Sequence, residues 1–177
     1  ATGITYTDYN EGASYISYFL TPATVCLAIP LYKQLELLKR NLTAVATAIT
    51  AGVIGSVVSV YVMSMIFRLE HVHYVSLLPK SITTAIGMGV SEEAGGIVTM
   101  TIVSIIITGI LGNIVADGWF KFIGIKEPIA KGLALGTSAH AIGTAKALEL
   151  GEVEGAMSSL SIAVAGLMTV VIVPIMS

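Results

Sequence analysis

Two short stretches of this sequence place polar side chains within apolar surroundings. In the first, Lys80 and Ser81 follow Pro79, and Thr83 and Thr84 come soon after. A lysine at the entrance of a cavity attracts an anion, which hydroxyls and freed backbone amides can ligate. We therefore expect these four side chains to bind an anionic ligand. The alternative is that Lys80 reaches the lipid headgroups while the threonines bond to their own helix.

The second stretch surrounds His140, with Ser138 before it and Gly143 and Thr144 after it. If Gly143 opens the helix, freed amides and the imidazole face one cavity, and protonation of His140 strengthens anion binding. We therefore expect all four residues to contact a substrate, with His140 and the downstream Glu149 coupling a proton to its movement. The alternative is a buried histidine bonded to a neighbouring carbonyl.

Other chemical signatures are absent from the sequence. It has no phosphate-binding glycine loop ending in Gly-Lys-Ser/Thr and no His-Glu-x-x-His pattern, and its single cysteine, Cys26, excludes a multi-cysteine metal site. His71 and His73 lie beside Arg68 and Glu70, and two histidines without further ligands make a poor metal site. We expect neither an enzyme nor a metal or other cofactor.

The composition is that of a membrane protein. Apolar residues make up 55% of the 177 residues, another 18 are glycine, and charged residues make up only 11%. The mean hydropathy is +0.88. A soluble domain of this size cannot bury so much apolar surface, and a net charge of −2 offers no basic arm for nucleic acid. The sequence therefore indicates a multi-pass protein of the cell membrane.

Long uncharged runs predict the membrane spans. A spanning helix needs about 20 apolar residues, and three clean runs exceed that length: 41–67, 94–116 and 155–177. The run 12–32 is also long enough, but Pro22 and Pro30 remove backbone hydrogen bonds, so we expect a bent or broken element there.

Two shorter uncharged runs, 81–91 and 132–145, are too short to cross and predict re-entrant segments. The positive-inside rule places both basic clusters in the cytoplasm, and they consist of Lys33, Lys39 and Arg40, and of Lys121, Lys126 and Lys131. The first short segment must then dip from outside and the second from inside. Two opposed irregular segments that meet near the midplane are typical of transporters.

The fold class that we expect is an all-α membrane protein with discontinuous or re-entrant segments in a transporter-like inverted-repeat arrangement. Residues 117–131, with Trp119, Phe120 and Phe122, predict either an interfacial amphipathic helix or a loop anchored by aromatic side chains. The spacing of Gly132 and Gly136 is weak evidence for a close helix contact.

The polar stretches also carry a resemblance to a known family. The sequences LLPKSITT at 77–84 and HAIGTA at 140–145 resemble the LrgB/CidB family of antiholin-like membrane proteins, and weaker matches run in order along the chain. Ala85 stands where the family commonly has proline, and Ala139 where serine often precedes the histidine. Family members usually have additional N-terminal helices, so we expect residues 1–177 to be a single LrgB-like domain without them.

The resemblance implies two functions. One is transport of small monocarboxylates of the pyruvate, glycolate or glycerate class, because plastid relatives are glycolate/glycerate carriers. The other is control of murein hydrolase activity and cell lysis by a non-transporting antiholin scaffold, which opposes a small holin-like partner of the LrgA/CidA type. Polar side chains kept within apolar segments favour the transporter. A homo-oligomer in the lipid bilayer is expected in either case.

Overall fold

The computed structural model describes residues 6–18, 22, 25, 26 and 28–177, and every element in that part of the chain is a helix. The helices are α1 (Tyr6–Tyr18), α2 (Ala28–Lys33), α3 (Leu35–Arg40), α4 (Leu42–Phe67), α5 (His71–Leu77), α6 (Thr84–Glu93), α7 (Val98–Ile123), α8 (Pro128–Leu150) and α9 (Glu152–Met176). The predicted run 12–32 falls partly on α1 and α2, and its residues 19–21, 23, 24 and 27 lie outside the described residues.

Three helices, α4, α7 and α9, are long and apolar enough to cross a membrane. Their lengths of 26, 26 and 25 residues correspond to about 38 Å, which exceeds a hydrocarbon core of about 30 Å. The three predicted spans are therefore confirmed, as is the all-helical class. α7 is displaced from its predicted bounds, 94–116, since it begins at Val98 and continues to Ile123.

The two alternatives predicted for residues 117–131, a separate interfacial helix and a loop anchored by aromatic side chains, are both wrong. α7 continues through Trp119 and Phe122 and ends at Gly124, whose φ of 81° suits a residue without a Cβ. A short turn then leads to Pro128 at the start of α8. The aromatic residues therefore belong to the last turns of a spanning helix, and Phe120 is buried against Leu135 rather than lying on a membrane surface.

Helices α5 and α6 are the two arms of a hairpin, called hairpin 1 (residues 71–93). The Thr101 hydroxyl on α7 lies 2.8 Å from the carbonyl of Ser76 on α5 and 2.6 Å from the hydroxyl of Ser91 on α6. Ser76 and Ser91 therefore lie side by side at one point on α7, and the chain between them folds back on itself. A turn at 78–83 joins the arms at the tip.

Hairpin 1 stops halfway along the spanning helices. At its base, the Tyr74 hydroxyl donates to the carbonyl of Met176, the last residue of α9, over 3.1 Å. At its tip, Ser81 Oγ lies 2.8 Å from Ser56 Oγ, and Ser56 is near the middle of α4. The hairpin therefore enters from the end where α4 and α9 finish. This is the re-entrant geometry predicted for the first short run.

Helix α8 is also a hairpin, called hairpin 2 (residues 128–150), because the chain reverses at His140. That residue has φ 43° and ψ −135°, which is not helical. A Cβ built on Gly143 would lie 2.6 Å from the carbonyl oxygen of Leu135. Residues eight positions apart are separated by about 12 Å along a continuous helix. The first arm (128–139) and the second arm (141–150) therefore lie side by side.

Both arms of hairpin 2 run along the second half of α7. Gly112 packs against Ala139 at the end of the first arm. Along the second arm, Asn113 Nδ2 donates to the Ile142 carbonyl at 3.2 Å, and Lys146 pairs with Asp117. The tip therefore lies near the middle of α7, which is the re-entrant geometry predicted for 132–145. The reversal occurs at His140, three residues before the Gly143 that the sequence suggested.

The core is built where hairpin 2 meets α4 and α9. Gly132 and Gly136 bring the first arm into contact with the backbone of α9, at Glu154 and Ser158. The close helix contact suggested by the spacing of these two glycines is therefore present. Around it lies an apolar cluster of Val45, Ile49, Val53, Leu133, Ala156, Met157 and Ala165.

Charge separates the two ends of the molecule. The basic end, where α4 begins and α7 finishes, carries Lys39, Arg40, Lys121, Lys126 and Lys131. Hairpin 2 enters from this end and hairpin 1 from the opposite end. The positive-inside rule places the basic end in the cytoplasm. Two hairpins that enter from opposite ends fit the predicted re-entrant arrangement. The inverted repeat remains a prediction.

Candidate functional site

A groove of about 850 Å³ runs from near the basic end to the middle of the helices. Its walls are α4, α7 and the first arm of hairpin 2, and the tip of hairpin 1 closes it. Small residues make this space, since Gly52 and Gly55 on α4 and Gly112 on α7 line it. Trp119 lines the wall toward the basic end. A volume in this range is typical of small-molecule sites.

Lys80 and Ser81 form the closed end of the groove. Lys80 Nζ lies 3.2 Å from Ser81 Oγ and 3.4 Å from Ser56 Oγ. No carboxylate of the described residues forms an ion pair with Lys80. A lysine without an acidic partner at the end of a groove favours an anionic ligand.

Two hydroxyls on the first arm of hairpin 2 also line the groove. Thr137 Oγ1 donates to the Leu133 carbonyl at 2.8 Å, and Ser138 Oγ donates to the Ala134 carbonyl at 2.6 Å. Each hydroxyl proton is therefore already used, and the oxygens can only accept from a ligand. The cation at Lys80 is consequently the strongest donor available to an anion at this end.

A second, enclosed cavity of about 10 Å³ lies directly behind the closed end of the groove. Its polar lining consists of the hydroxyls of Ser56, Ser81, Thr137 and Thr169. Thr169 Oγ1 donates to the Ala165 carbonyl, so its lone pairs remain available. A cavity of this volume with these polar groups is of the size that holds one water molecule.

Thr83 and Thr84, predicted to join Lys80 and Ser81, lie where the turn of hairpin 1 leads into α6, and they do not line the groove. Thr83 precedes the first residue of α6, and its side chain makes no capping hydrogen bond. Both are partly buried. The structure therefore brings Lys80, Ser81 and Ser138 to one groove and leaves the two threonines next to it.

His140 is held away from the groove. Its side chain is only 3% exposed, and Nε2 lies 2.9 Å from the carbonyl oxygen of Ile105 on α7. Because a carbonyl can only accept, Nε2 carries a proton and donates it to Ile105, so this N–H is not available to a carboxylate. Gly109 makes room for the ring, since a Cβ there would lie 2.7 Å from His140 Cε1. This is the carbonyl-bonded arrangement that the sequence left as the alternative.

Gly143 and Thr144 surround the same tip. Thr144 Oγ1 lies 2.6 Å from Ser158 Oγ on α9 and 3.1 Å from the His140 carbonyl. Gly143 packs against Leu135 of the first arm. These residues and His140 form one contiguous set that holds the tip between α7 and α9, and none of them lines the groove.

Glu149 lies near the end of the second arm. Nine residues of helix separate it from His140, which is about 13 Å. Its carboxylate is 3.5 Å from Lys146 Nζ, and Asp117 is 2.8 Å from the same nitrogen. The hydrogen bond with Asp117 raises the pKa of Lys146. The structure therefore places Glu149 in a surface ion-pair group and does not bring it to His140.

Comparison with known proteins agrees with the motifs. The profile of the LrgB-like family matches residues 1–177. The chain belongs to the LrgB-like family. It is similar to the antiholin-like protein LrgB of Bacillus mycoides (strain KBAB4), with 44% identity over 170 residues, which is 96% of this chain and 74% of that protein. The protein of the same name from Bacillus cereus (strain B4264) is 42% identical over the same shares. No solved structure matches the chain.

Sequence reasoning missed three polar residues of this LrgB-like groove, Ser56, Ser59 and Thr137. Ser56 follows Gly52 by four positions and Ser59 follows Gly55 by four, and this helical spacing of small residues is the signal that marks the face. Thr137 directly precedes the predicted Ser138. His71 and His73 belong to no group of three or more possible metal ligands within the described part of the chain.

Proposed function

We propose that this LrgB-like protein transports a small monocarboxylate of the pyruvate, glycolate or glycerate class across the cell membrane. The observation that carries the proposal is Lys80, a lysine without an acidic partner among the described residues, at the closed end of a groove that reaches mid-span. One carboxylate supplies the partner that its ammonium form lacks. The walls on either side are apolar or hydroxyl-bearing, so they suit a ligand with one charge rather than two.

The residues take different roles in this proposal. Lys80 binds the carboxylate. Ser81 and Ser138, with Ser56 and Thr137 beside them, accept hydrogen bonds from a hydroxyl of glycolate or glycerate. Thr83 and Thr84 join the site only when the tip of hairpin 1 shifts. These roles differ because the hydroxyls of Thr137 and Ser138 already donate their protons to backbone carbonyls, so they can only accept from a ligand.

Hairpin 2 supplies the rigid side of the site. His140, Gly143 and Thr144 hold its tip between α7 and α9. They reach a substrate only if the tip separates from Ile105, and the proposed coupling through His140 and Glu149 needs the same movement. A helical arm that begins after the tip also directs its positive dipole end toward the midplane.

The alternative is a non-transporting scaffold, which the name of the relatives, antiholin-like protein LrgB, favours. Such a protein controls murein hydrolase activity and lysis by binding a small holin-like partner of the LrgA/CidA type. The exposed apolar side chains of α4 and α7, such as Phe67, Ile107 and Ile114, give it lipid or protein contacts. The same exposed side chains also suit a homo-oligomeric transporter that affects lysis through carboxylate flux.

Uptake into proteoliposomes separates the two functions. Purified protein is reconstituted, and accumulation of labelled pyruvate, glycolate and glycerate is measured against empty vesicles. The proposal requires saturable uptake of at least one acid, and Lys80→Ala should raise its apparent KM at least about tenfold, the equivalent of one lost charged hydrogen bond. Lys126→Ala, at an exposed lysine, is the matched control. Absence of uptake by the wild-type protein for all three acids contradicts the proposal and favours the scaffold.

A further inference from the structure

Lys80 is the one ionisable side chain among the described residues that line the groove. Its nearest polar neighbours, Ser56 and Ser81, are neutral hydroxyls. A hydroxyl stabilises an ammonium far less than a carboxylate does. The tip that carries Lys80 lies at the depth of the middle of α4, where a lipid bilayer has its lowest dielectric constant. An uncompensated positive charge is therefore costly at this position when the groove is empty.

No other titratable group among the described residues pairs with Lys80 or lines the groove with it. α4 contains no charged residue between Leu42 and Phe67, and its Tyr61 does not line the groove. The titratable side chains on the other packed elements do not line it either. They are His71, His73, Tyr74, Glu92 and Glu93 of hairpin 1, Asp117 and Lys121 of α7, Lys131, His140, Lys146 and Glu149 of hairpin 2, and Glu152 and Glu154 of α9.

We propose that Lys80 carries the proton that moves with the substrate, so that one group binds both the carboxylate and the proton. This inference rests on the proposed transport function. With the groove empty, Lys80 is a neutral amine. A carboxylate that enters with one proton converts it to an ammonium–carboxylate pair, and when the acid leaves on the other side, both the anion and the proton depart. The cycle transfers one proton per carboxylate and no net charge.

Two physical facts make a lysine suited to this role. Lysine changes its protonation state readily when it is buried, and buried lysines with pKa values as low as about 5–6 are known. A bound carboxylate restores the ordinary preference for the charged form, because opposite charges within about 4–6 Å favour ionisation. Occupancy and protonation of Lys80 are therefore linked. His140 is a poorer proton carrier here, since Nε2 is held by Ile105 and the ring lies outside the groove.

The decisive variant is Lys80→Arg, because a guanidinium binds carboxylates but is not deprotonated in proteins. In the variant, the occupied site is neutral as in the wild type, whereas the empty site keeps a permanent charge. Reorientation of the loaded protein should persist and that of the empty protein should stop. We expect Lys80→Arg to exchange labelled for unlabelled acid while losing net accumulation driven by a pH gradient. The wild type should accumulate acid up to about tenfold per pH unit.

Controls make the outcomes distinct. Lys126→Arg, the same substitution at an exposed lysine, should accumulate acid like the wild type. If Lys80→Arg also accumulates acid at the wild-type level, the proton is carried elsewhere and the inference is wrong. If the wild type transports none of the three acids, the proposed function itself fails.

A binding measurement tests the inference even if Lys80→Arg is inactive in both assays. Purified wild-type protein is mixed with the transported acid at about pH 7, where the acid is ionised, in weak buffer with a pH-indicator dye. We expect uptake of one proton for each carboxylate bound, and none for Lys80→Gln. Carboxylate binding by the wild type without proton uptake would overturn the inference while leaving transport intact.

Discussion

Gly143→Ala tests the reversal of hairpin 2. In a continuous helix, alanine is more stable than glycine by about 0.5–1 kcal/mol, so the substitution should be favourable. In the folded-back arrangement, the new Cβ would lie 2.6 Å from the Leu135 carbonyl oxygen and 2.7 Å from Ala139 Cβ. The two descriptions of α8 therefore predict opposite signs for one methyl group.

The size of the effect follows from these distances. Carbon atoms in ordinary contact are about 3.5–4.0 Å apart, so the two arms must separate by roughly 1 Å. One contact is to a backbone oxygen, which no rotamer change can relieve. Overpacking of this kind costs about 1–3 kcal/mol. After the gain in helix propensity is subtracted, we expect a net destabilisation of about 1–2 kcal/mol.

Thermal unfolding in detergent measures the difference. For a chain of this length, 1 kcal/mol corresponds to a change in Tm of about 2–4 °C, so Gly143→Ala should lower Tm by about 2–8 °C. Gly118→Ala on α7 is the matched control, because a Cβ there would meet nothing within 4 Å, and its Tm should stay equal or rise slightly. An equal rise in Tm for both variants would show that α8 is continuous, and the hairpin would have to be abandoned.

Three further predictions address the rest of the structure. Thr101→Val removes the hydroxyl that joins Ser76 and Ser91 and should cost about 1–3 kcal/mol, whereas Thr47→Val, where the hydroxyl bonds only to its own helix, should be near neutral in the same unfolding assay. His140→Gln should lower Tm yet keep the wild-type pH profile of transport between about pH 5.5 and 8; a profile that loses its pH dependence would assign the proton to His140. Cysteine at position 126, in a chain without Cys26, should react with an impermeant thiol reagent only from the cytoplasmic side; labelling from outside contradicts the orientation.

Much of the fold was predictable because charge is so scarce in this sequence. The long uncharged runs predicted α4, α7 and α9. The two short uncharged runs, 81–91 and 132–145, are too short to cross a membrane. The re-entrant segments followed from the lysines, since the positions of Lys121 and Lys131 fixed the side of each short run. What the sequence did not reveal is where α7 ends. Trp119 and Phe122 indicate a membrane–water interface, but such residues occur both in separate interfacial helices and in the last turns of spanning helices.

The candidate site was harder to predict than the fold. Lys80 and His140 look alike in sequence, as single ionisable residues beside glycine and hydroxyl residues. The difference between them depends on tertiary partners: Lys80 faces two hydroxyls at an open groove, whereas His140 faces a backbone carbonyl at a packed tip. Nothing local to either residue encodes its partner. Ser56 was missed for the same reason, because its role depends on a residue 25 positions away.

The contrast between the two tips explains how this chain can keep polar groups in the middle of a membrane. Backbone that leaves a helix within lipid must satisfy its hydrogen bonds inside the protein. At hairpin 2, Asn113 and Thr144 bond to the carbonyls of Ile142 and His140, and His140 bonds to Ile105, so the tip is closed by the protein itself. At hairpin 1, the charge of Lys80 has only hydroxyl partners. A tip whose polar groups are satisfied by the protein can remain dry, whereas a tip that lacks a counter-charge requires water or an anion. The groove leads to the tip of the second kind, that of hairpin 1.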